Sequence, residues 1–293
     1  MQELPLYVFT LFTQLAAGIV LFVALRATLV KEPPAGGRQG AARPEARALA
    51  VAVAAGGVAL IASLFHLGDM TKALNVLAGL GRSWLSCEVV MASLFFVLTV
   101  IALVCVRRAK AALPSIWIAA LLGVALSVVE GIAYAVTAVP AWGALNTVLS
   151  FLAAVLAFSA TAGPLLMQSD ICRADSSSGA RRVLIGIAVA ALVVLTMALA
   201  VEGFVYGGLQ SGTGAARIAG EVFARFAALW GAYAIAVFAG VALAVVLGLK
   251  LERLVGKGVF PPLLLAAFAL VAIGLLAGRA VFYLVGIPMD IGL

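Results

Sequence analysis

A single histidine, His66, stands in a chain of 293 residues. A haem held between two imidazoles is therefore excluded unless a methionine or a partner supplies the second ligand, and a zinc site fails for the same shortage. The three cysteines, Cys87, Cys105 and Cys172, are scattered without a C-x-x-C pair. Neither a disulfide framework nor cluster binding is indicated, so any iron–sulfur centre must lie elsewhere. Charge is scarce as well: 11% of the residues are Asp, Glu, Lys or Arg, against about 25% in soluble domains.

Apolar residues fill the space these absences leave. They make up 65% of the chain, and the mean hydropathy is +1.22. Eight apolar runs, at 5–27, 45–66, 84–106, 112–137, 145–168, 181–203, 221–249 and 259–285, are each long enough to cross a hydrocarbon core of about 30 Å as a helix. The runs are continuous rather than alternating, which favours helices over a closed barrel. The sequence predicts an all-α integral membrane protein whose residues 1–293 form one transmembrane domain, its spans dividing into two groups of four. No Lys or Arg precedes the first run, which is also too long for the apolar part of a secretory signal, so it reads as a retained helix.

The net charge of +7 and pI of 9.7 do not indicate nucleic acid, because the basic residues are sorted by loop rather than gathered on one face. Alternate loops hold 14 of the 19: Arg26, Lys31, Arg38, Arg43 and Arg47; Arg107, Arg108 and Lys110; Arg173, Arg181 and Arg182; Lys250, Arg253 and Lys257. By the positive-inside rule these loops are cytoplasmic, which places both termini and the loops near 67–83, 138–144 and 204–220 outside. The stretches "KEPPAGGRQGAARPEAR" and "SDICRADSSSGARR" read as solvated connectors.

Charged groups inside spans cost roughly 2.5–3.5 kcal/mol each at a helix centre, so each needs an account. His66 ends the second span, and Glu88 lies in the first turns of the third. Glu130 is about two turns from the end of the fourth, Glu202 ends the sixth, Glu221 and Arg225 open the seventh, and Arg279 is near the finish of the eighth. All fall in the outer half, whereas the charges of the cytoplasmic half are in the loops. A one-sided site is expected rather than a wire across the membrane. His66 and Glu88 also fit a plainer role as polar helix ends. Glu221 and Arg225, spaced i, i+4, suit a local ion pair. Arg279 either snorkels to the interface or neutralises Glu130 or Glu202 inside the bundle. Trp84, Trp142 and Tyr206 fit an interfacial aromatic belt.

A neutral imidazole beside a carboxylate in apolar surroundings suits a lipid-soluble ligand with hydroxyl or carbonyl groups. Quinol oxidation removes two protons with two electrons, and His or Glu can accept a proton and hold a ring oxygen.

Several short islands carry a family likeness: "ELPLYVFTLFTQLAAG" at the N-terminus, "SLFHLGDMTKALN", "SWLSCE", "AVPAW", "AGPLL" and "GRAVFY". On these the chain resembles the membrane anchor subunit of the dimethyl sulfoxide reductase family, within the wider group of eight-helix anchors related to polysulfide reductase. The run from His66 to Glu88 is the most specific part. The resemblance implies a haem-free and metal-free anchor in the bacterial cytoplasmic (inner) membrane. It would bind menaquinol, release menaquinone, and pass electrons to a four-cluster iron–sulfur subunit that feeds a molybdopterin catalytic subunit. His66 and Glu88 match positions associated with the family's quinol site. Gln14, Asp69, Lys72, Asn75, Arg82 and Arg279 stand in the same islands, as further candidates for that site or for the subunit contact.

Two other readings compete. A secondary transporter would bind a small solute through Glu130, Glu202 and Arg279. It lacks the matching pair of Gly/Pro-broken helices that usually marks such a site, since Pro164 is a single break. A purely structural anchor would tolerate replacement of His66.

Overall fold

A computed structural model describes residues 4–30, 44–66, 79, 81–108, 110–172 and 177–289, the side chains of His66 and Ser177 excepted. The described residues form ten helices: α1 (Leu4–Leu29), α2 (Pro44–His66), α3 (Trp84–Arg107), α4 (Leu113–Ala135), α5 (Ala144–Leu166), α6 (Gln168–Ile171), α7 (Ser177–Leu209), α8 (Ala215–Leu249), α9 (Leu251–Gly256) and α10 (Phe260–Leu284). Eight of them, all but the short α6 and α9, are long and apolar enough to cross a bilayer, and the chain is a multi-pass membrane protein.

Neighbour relations close two rings. α1 packs on α2, α2 on α3, α3 on α4, and α4 back on α1; α5, α7, α8 and α10 form the second ring in the same way. The expected division into two groups of four is therefore present, as two four-helix bundles. They meet mainly through α1 and α5, the most buried spans, 72% and 67% buried. Helices gain no hydrophobic drive toward one another in lipid, so this contact depends on close approach between small residues. A Cβ on Gly18 of α1 would lie 2.6 Å from the Val155 carbonyl oxygen of α5, and one on Gly163 of α5 would run into the Phe22 side chain of α1. Only glycine fits at either crossing.

The expected spans survive with one large change. The loop placed at 204–220 shrinks to residues 210–214, because α7 continues to Leu209 and α8 begins at Ala215. The extra turns bury Tyr206 and Leu209 against Ala219, Val281 and Val285. Gly207 and Gly208, poor helix formers in isolation, hide this continuation from a sequence reading. The start of the connector "SDICRADSSSGARR" is helical, as part of α6 (Gln168–Ile171), just beyond Pro164.

Some polar residues also sit differently. Glu221 pairs with Arg217 at 3.1 Å, one turn before it, rather than with Arg225, and both partners are exposed. Of the three aromatics expected in a belt, Trp84 is exposed, but Tyr206 is buried and Trp142 stacks on Phe282. The end bearing the basic loops is not purely apolar within the bundle either. Arg26 of α1, only 2% exposed, reaches Glu45 of α2 at 2.5 Å, and Asp170 of α6 is buried as well.

Candidate functional site

Glu88, Glu130, Glu202 and Arg279 all lie toward the end of the bundle that carries both termini, each buried. Helix periodicity explains why a few residues suffice to gather them. α1 presents Thr13 and Gln14 to the bundle interior and also packs on α4, α5, α7 and α10, so its polar side chains can reach both bundles.

The contacts run as a row. Thr13 donates to Oε1 of Glu130 at 2.6 Å, and Gln14 donates through Nε2 to Oε2 of the same carboxyl at 3.4 Å. The Arg279 guanidinium donates to Oε1 of Gln14 at 2.7 Å and lies over the Phe151 ring, 3.8 Å from its centroid. Its positive charge acts on Glu130 in one bundle and on Glu202 in the other. Glu202 accepts from the Trp230 indole at 3.2 Å. Arg279 is buried and bonded to Gln14 inside the bundle, which excludes snorkelling. Lys could not replace it fully, because a planar guanidinium can stack and donate at once.

Two cavities flank the row. The smaller, about 20 Å³, is lined by Gln14, Ser150, Glu202, Tyr233 and Arg279 among others. It has room for about one water molecule, and Glu130 is not part of its wall. The larger, about 500 Å³, is lined by Leu6, Leu85, Glu88, Tyr134, Thr137 and Trp142, with Ala133, Ala138, Val139, Gly286 and Pro288. Its volume lies in the range of pockets that enclose drug-sized ligands, and its wall has their usual character of apolar surface with a few polar groups.

Within that wall Glu88 stands apart. It is 2% exposed, and among the described residues its Oε1 has no hydrogen-bond partner. A buried polar atom left in that state costs about 1–3 kcal/mol, more when charged, and calls for an explanation such as a ligand. Glu88 and Glu130 are within electrostatic reach of each other. Aromatic packing stiffens the rest of the wall: the Tyr134 and Tyr283 hydroxyls are 2.6 Å apart, and the Trp142 indole donates to the Phe282 carbonyl at 2.9 Å. Tyr7 donates to the Leu276 carbonyl, tying the start of α1 to α10.

Of the residues singled out in the sequence, Glu88 lines the larger cavity, and Gln14 and Arg279 line the smaller. Arg82 is exposed in the turn ahead of α3, and among the described residues neither cavity wall includes it. His66 is the last residue of α2; its side chain, and all of Asp69, Lys72 and Asn75, lie outside the described residues. Thr13, Tyr134, Thr137 and Tyr283 were not singled out. Helical spacing held the signal for two of them, since Tyr134 follows Glu130 by four residues and Tyr283 follows Arg279 by four, each on the same face. Trp142, read as a belt residue, belongs instead to the cavity wall.

Comparison with known proteins shows the family. Residues 1–285 match the family model described as DMSO reductase anchor subunit (DmsC). The sequence is 32% identical over 303 aligned positions to the C subunit of the anaerobic dimethyl sulfoxide reductase of Escherichia coli (strain K12), an alignment that takes in 100% of this protein and 97% of that relative. It is 30% identical over 157 positions to the protein of the same description from Haemophilus influenzae (strain ATCC 51907 / DSM 11121 / KW20 / Rd), covering 52% and 53% of the two proteins. An eight-span protein matched from its first residue to residue 285 belongs to the DMSO reductase anchor subunit family.

Proposed function

We propose that this protein is the haem-free membrane anchor of a molybdopterin oxidoreductase complex of the dimethyl sulfoxide reductase type, and that it oxidises menaquinol in the cavity bounded by Glu88, Tyr134 and Trp142. Electrons pass to an iron–sulfur subunit carrying four clusters and then to the molybdopterin subunit. The likeness to the C subunit of an anaerobic dimethyl sulfoxide reductase supports the anchor role and its two partners. The observation that carries the quinol site is the buried Glu88 Oε1, without a hydrogen-bond partner among the described residues, in the wall of a cavity of about 500 Å³.

A quinol ring fits the chemistry of that wall. One ring hydroxyl donates to Glu88, whose empty lone pairs are an acceptor ready in place. His66, the last residue of α2, is the second candidate proton acceptor. The two residues together accept the two protons that leave with the two electrons, as general bases. Tyr134 and Thr137 offer further hydroxyls, and Leu6, Leu85 and Val139 give the ring apolar contact. The isoprenoid tail remains among lipid. The positive-inside distribution supports a site in the outer half of the membrane, with both termini and the iron–sulfur subunit on the outer side.

The test is quinol oxidation by the assembled complex carrying Glu88→Gln or His66→Phe. Loss of at least about 100-fold in turnover is expected for each, the usual scale of a positioned base, with the complex still assembled. Wild-type rates in both variants would remove the site assignment and leave a purely structural anchor.

A further inference from the structure

We propose that Glu130 receives the proton Glu88 takes from the quinol, and that Gln14 and Arg279 are the positioning residues that hold Glu130 ready for it. The inference deepens the reading of the larger cavity as a quinol site and rests on it.

The geometry places a second carboxyl one turn inward of the cavity wall, on the helix packed against the one that carries Glu88. Glu130 lies three and four residues before Ala133 and Tyr134, so it is one helical turn inward of the cavity wall on the same face of α4. It is wholly buried, while Glu88 faces the cavity from the adjacent α3. The groups facing Glu130 can be named helix by helix. α1 supplies the uncharged Thr13 and Gln14, α3 supplies Glu88, α10 supplies Arg279, and Tyr134 is on α4 itself. α5, which also packs on α4, contains no Asp, Glu, His, Lys, Arg, Tyr or Cys along its whole length. Among the described residues, Glu130 is the carboxyl on the helix next to Glu88, and Arg279 is the cation nearest Glu130 through Gln14.

Glu130 is held without being saturated. A carboxylate has about four lone-pair sites, and here Oε1 takes a 2.6 Å bond from Thr13 while Oε2 takes only a 3.4 Å contact from Gln14. Gln14 cannot turn away, because its own oxygen is fixed by the Arg279 guanidinium at 2.7 Å. The amide thus faces Glu130 with its donor end, and Arg279 acts on Glu130 through it.

Occupancy of the cavity gives the arrangement its purpose. A quinol ring in the cavity takes space that water beside Glu88 would fill, and Glu130 is the acceptor available on the buried side. In the step proposed, a quinol O–H bond breaks and an O–H bond forms at Glu88. The quinol's two electrons leave for the iron–sulfur subunit, and its other proton goes to His66. The Glu88 proton then moves to a Glu130 oxygen, which restores Glu88 as a carboxylate beside the newly formed quinone. Once the quinone departs, the proton leaves through Glu88 and the refilled cavity to water. One quinol yields one quinone, two electrons and two protons.

The experiment uses the assembled complex in membranes, a reduced short-chain naphthoquinol as donor, and the variants Glu130→Gln, Glu130→Asp and Glu88→Gln. Glu130→Gln keeps an oxygen for Thr13, which favours an intact fold. Its kcat is expected to fall about tenfold or more with KM within about twofold, its solvent deuterium isotope effect to rise, and its pH–rate profile to change. Glu130→Asp should recover part of the rate. A Glu130→Gln complex with wild-type kcat, isotope effect and pH profile would overturn the proposal. Should Glu88→Gln also run at the wild-type rate, the quinol site itself fails; an inactive Glu88→Gln beside a fully active Glu130→Gln refutes the relay alone. If Glu130→Gln does not assemble, Thr13→Val removes the bond that orients Oε1. A changed pH profile at unchanged KM then supports the proposal, and an unchanged profile refutes it.

Discussion

The bond from Arg279 to Gln14 joins the two four-helix bundles across their interface, and its strength can be measured directly. Arg279→Met keeps the length and the apolar stem but removes the guanidinium, which loses the 2.7 Å bond to Gln14 and the contact with Phe151. A hydrogen bond to a charged group contributes about 1.5–3 kcal/mol in soluble proteins, and a cation over an aromatic face about 0.5–2. Within bilayers, interhelical hydrogen bonds are weaker, about 0.6 kcal/mol on average and about 1.7 at most, because the unfolded helices find other partners in the membrane. Arg279 is charged and 7% exposed, so its bond belongs near the top of that bilayer range. A double-mutant cycle with Arg279→Met and Gln14→Leu isolates it from the Phe151 contact. The assay is reversible unfolding of the purified protein in mixed detergent micelles, followed by helix content and extrapolated to zero denaturant. A coupling energy of about 1–1.7 kcal/mol is expected. A value under about 0.3 kcal/mol would mean that the two side chains do not depend on each other, and the row linking Glu130 to Arg279 would be broken at its centre.

Two further predictions concern the frame that carries the site. Gly18→Val places a branched side chain where even a Cβ meets the Val155 oxygen at 2.6 Å; a loss of at least about 1–3 kcal/mol is expected from overpacking, read by the same unfolding assay, and an unchanged stability would contradict the close crossing of α1 and α5. Arg26→Met leaves Glu45 without its partner at 2.5 Å. Because Glu45 keeps some exposure, the loss should fall at or below the lower end of the roughly 3–5 kcal/mol seen when a buried pair is broken, and Arg26→Lys should restore part of it.

The spans were legible in the sequence because a bilayer imposes a single rule, a continuous apolar run of sufficient length, and that rule is local. The site was only partly legible. Glu88, Gln14 and Arg279 stood out because a polar group in such surroundings is costly and therefore conspicuous. Tyr134, Tyr283 and Trp142 did not, since aromatic residues near span ends look alike whether they face headgroups or one another. Arg26 looked like a loop residue for a related reason: it ends an apolar run, and nothing local shows that α2 brings Glu45 against it.

The amino-acid sequence by itself determined that this is an eight-span helical membrane protein with its basic loops on one side and Glu88, Glu130 and Glu202 toward the other. Those properties follow from composition and order of residues, which lipid and water read one position at a time. The tertiary structure alone decided how the rings close, that Gly18 and Gly163 let α1 and α5 touch, and that Thr13, Gln14, Glu130 and Arg279 form one row. It also decided which carboxyl borders a ligand-sized cavity. Contacts between residues more than a hundred positions apart depend on which face each helix turns toward its neighbours. In a helix apolar on nearly every face that choice rests on packing between small and large side chains, and it cannot be seen in any one helix alone.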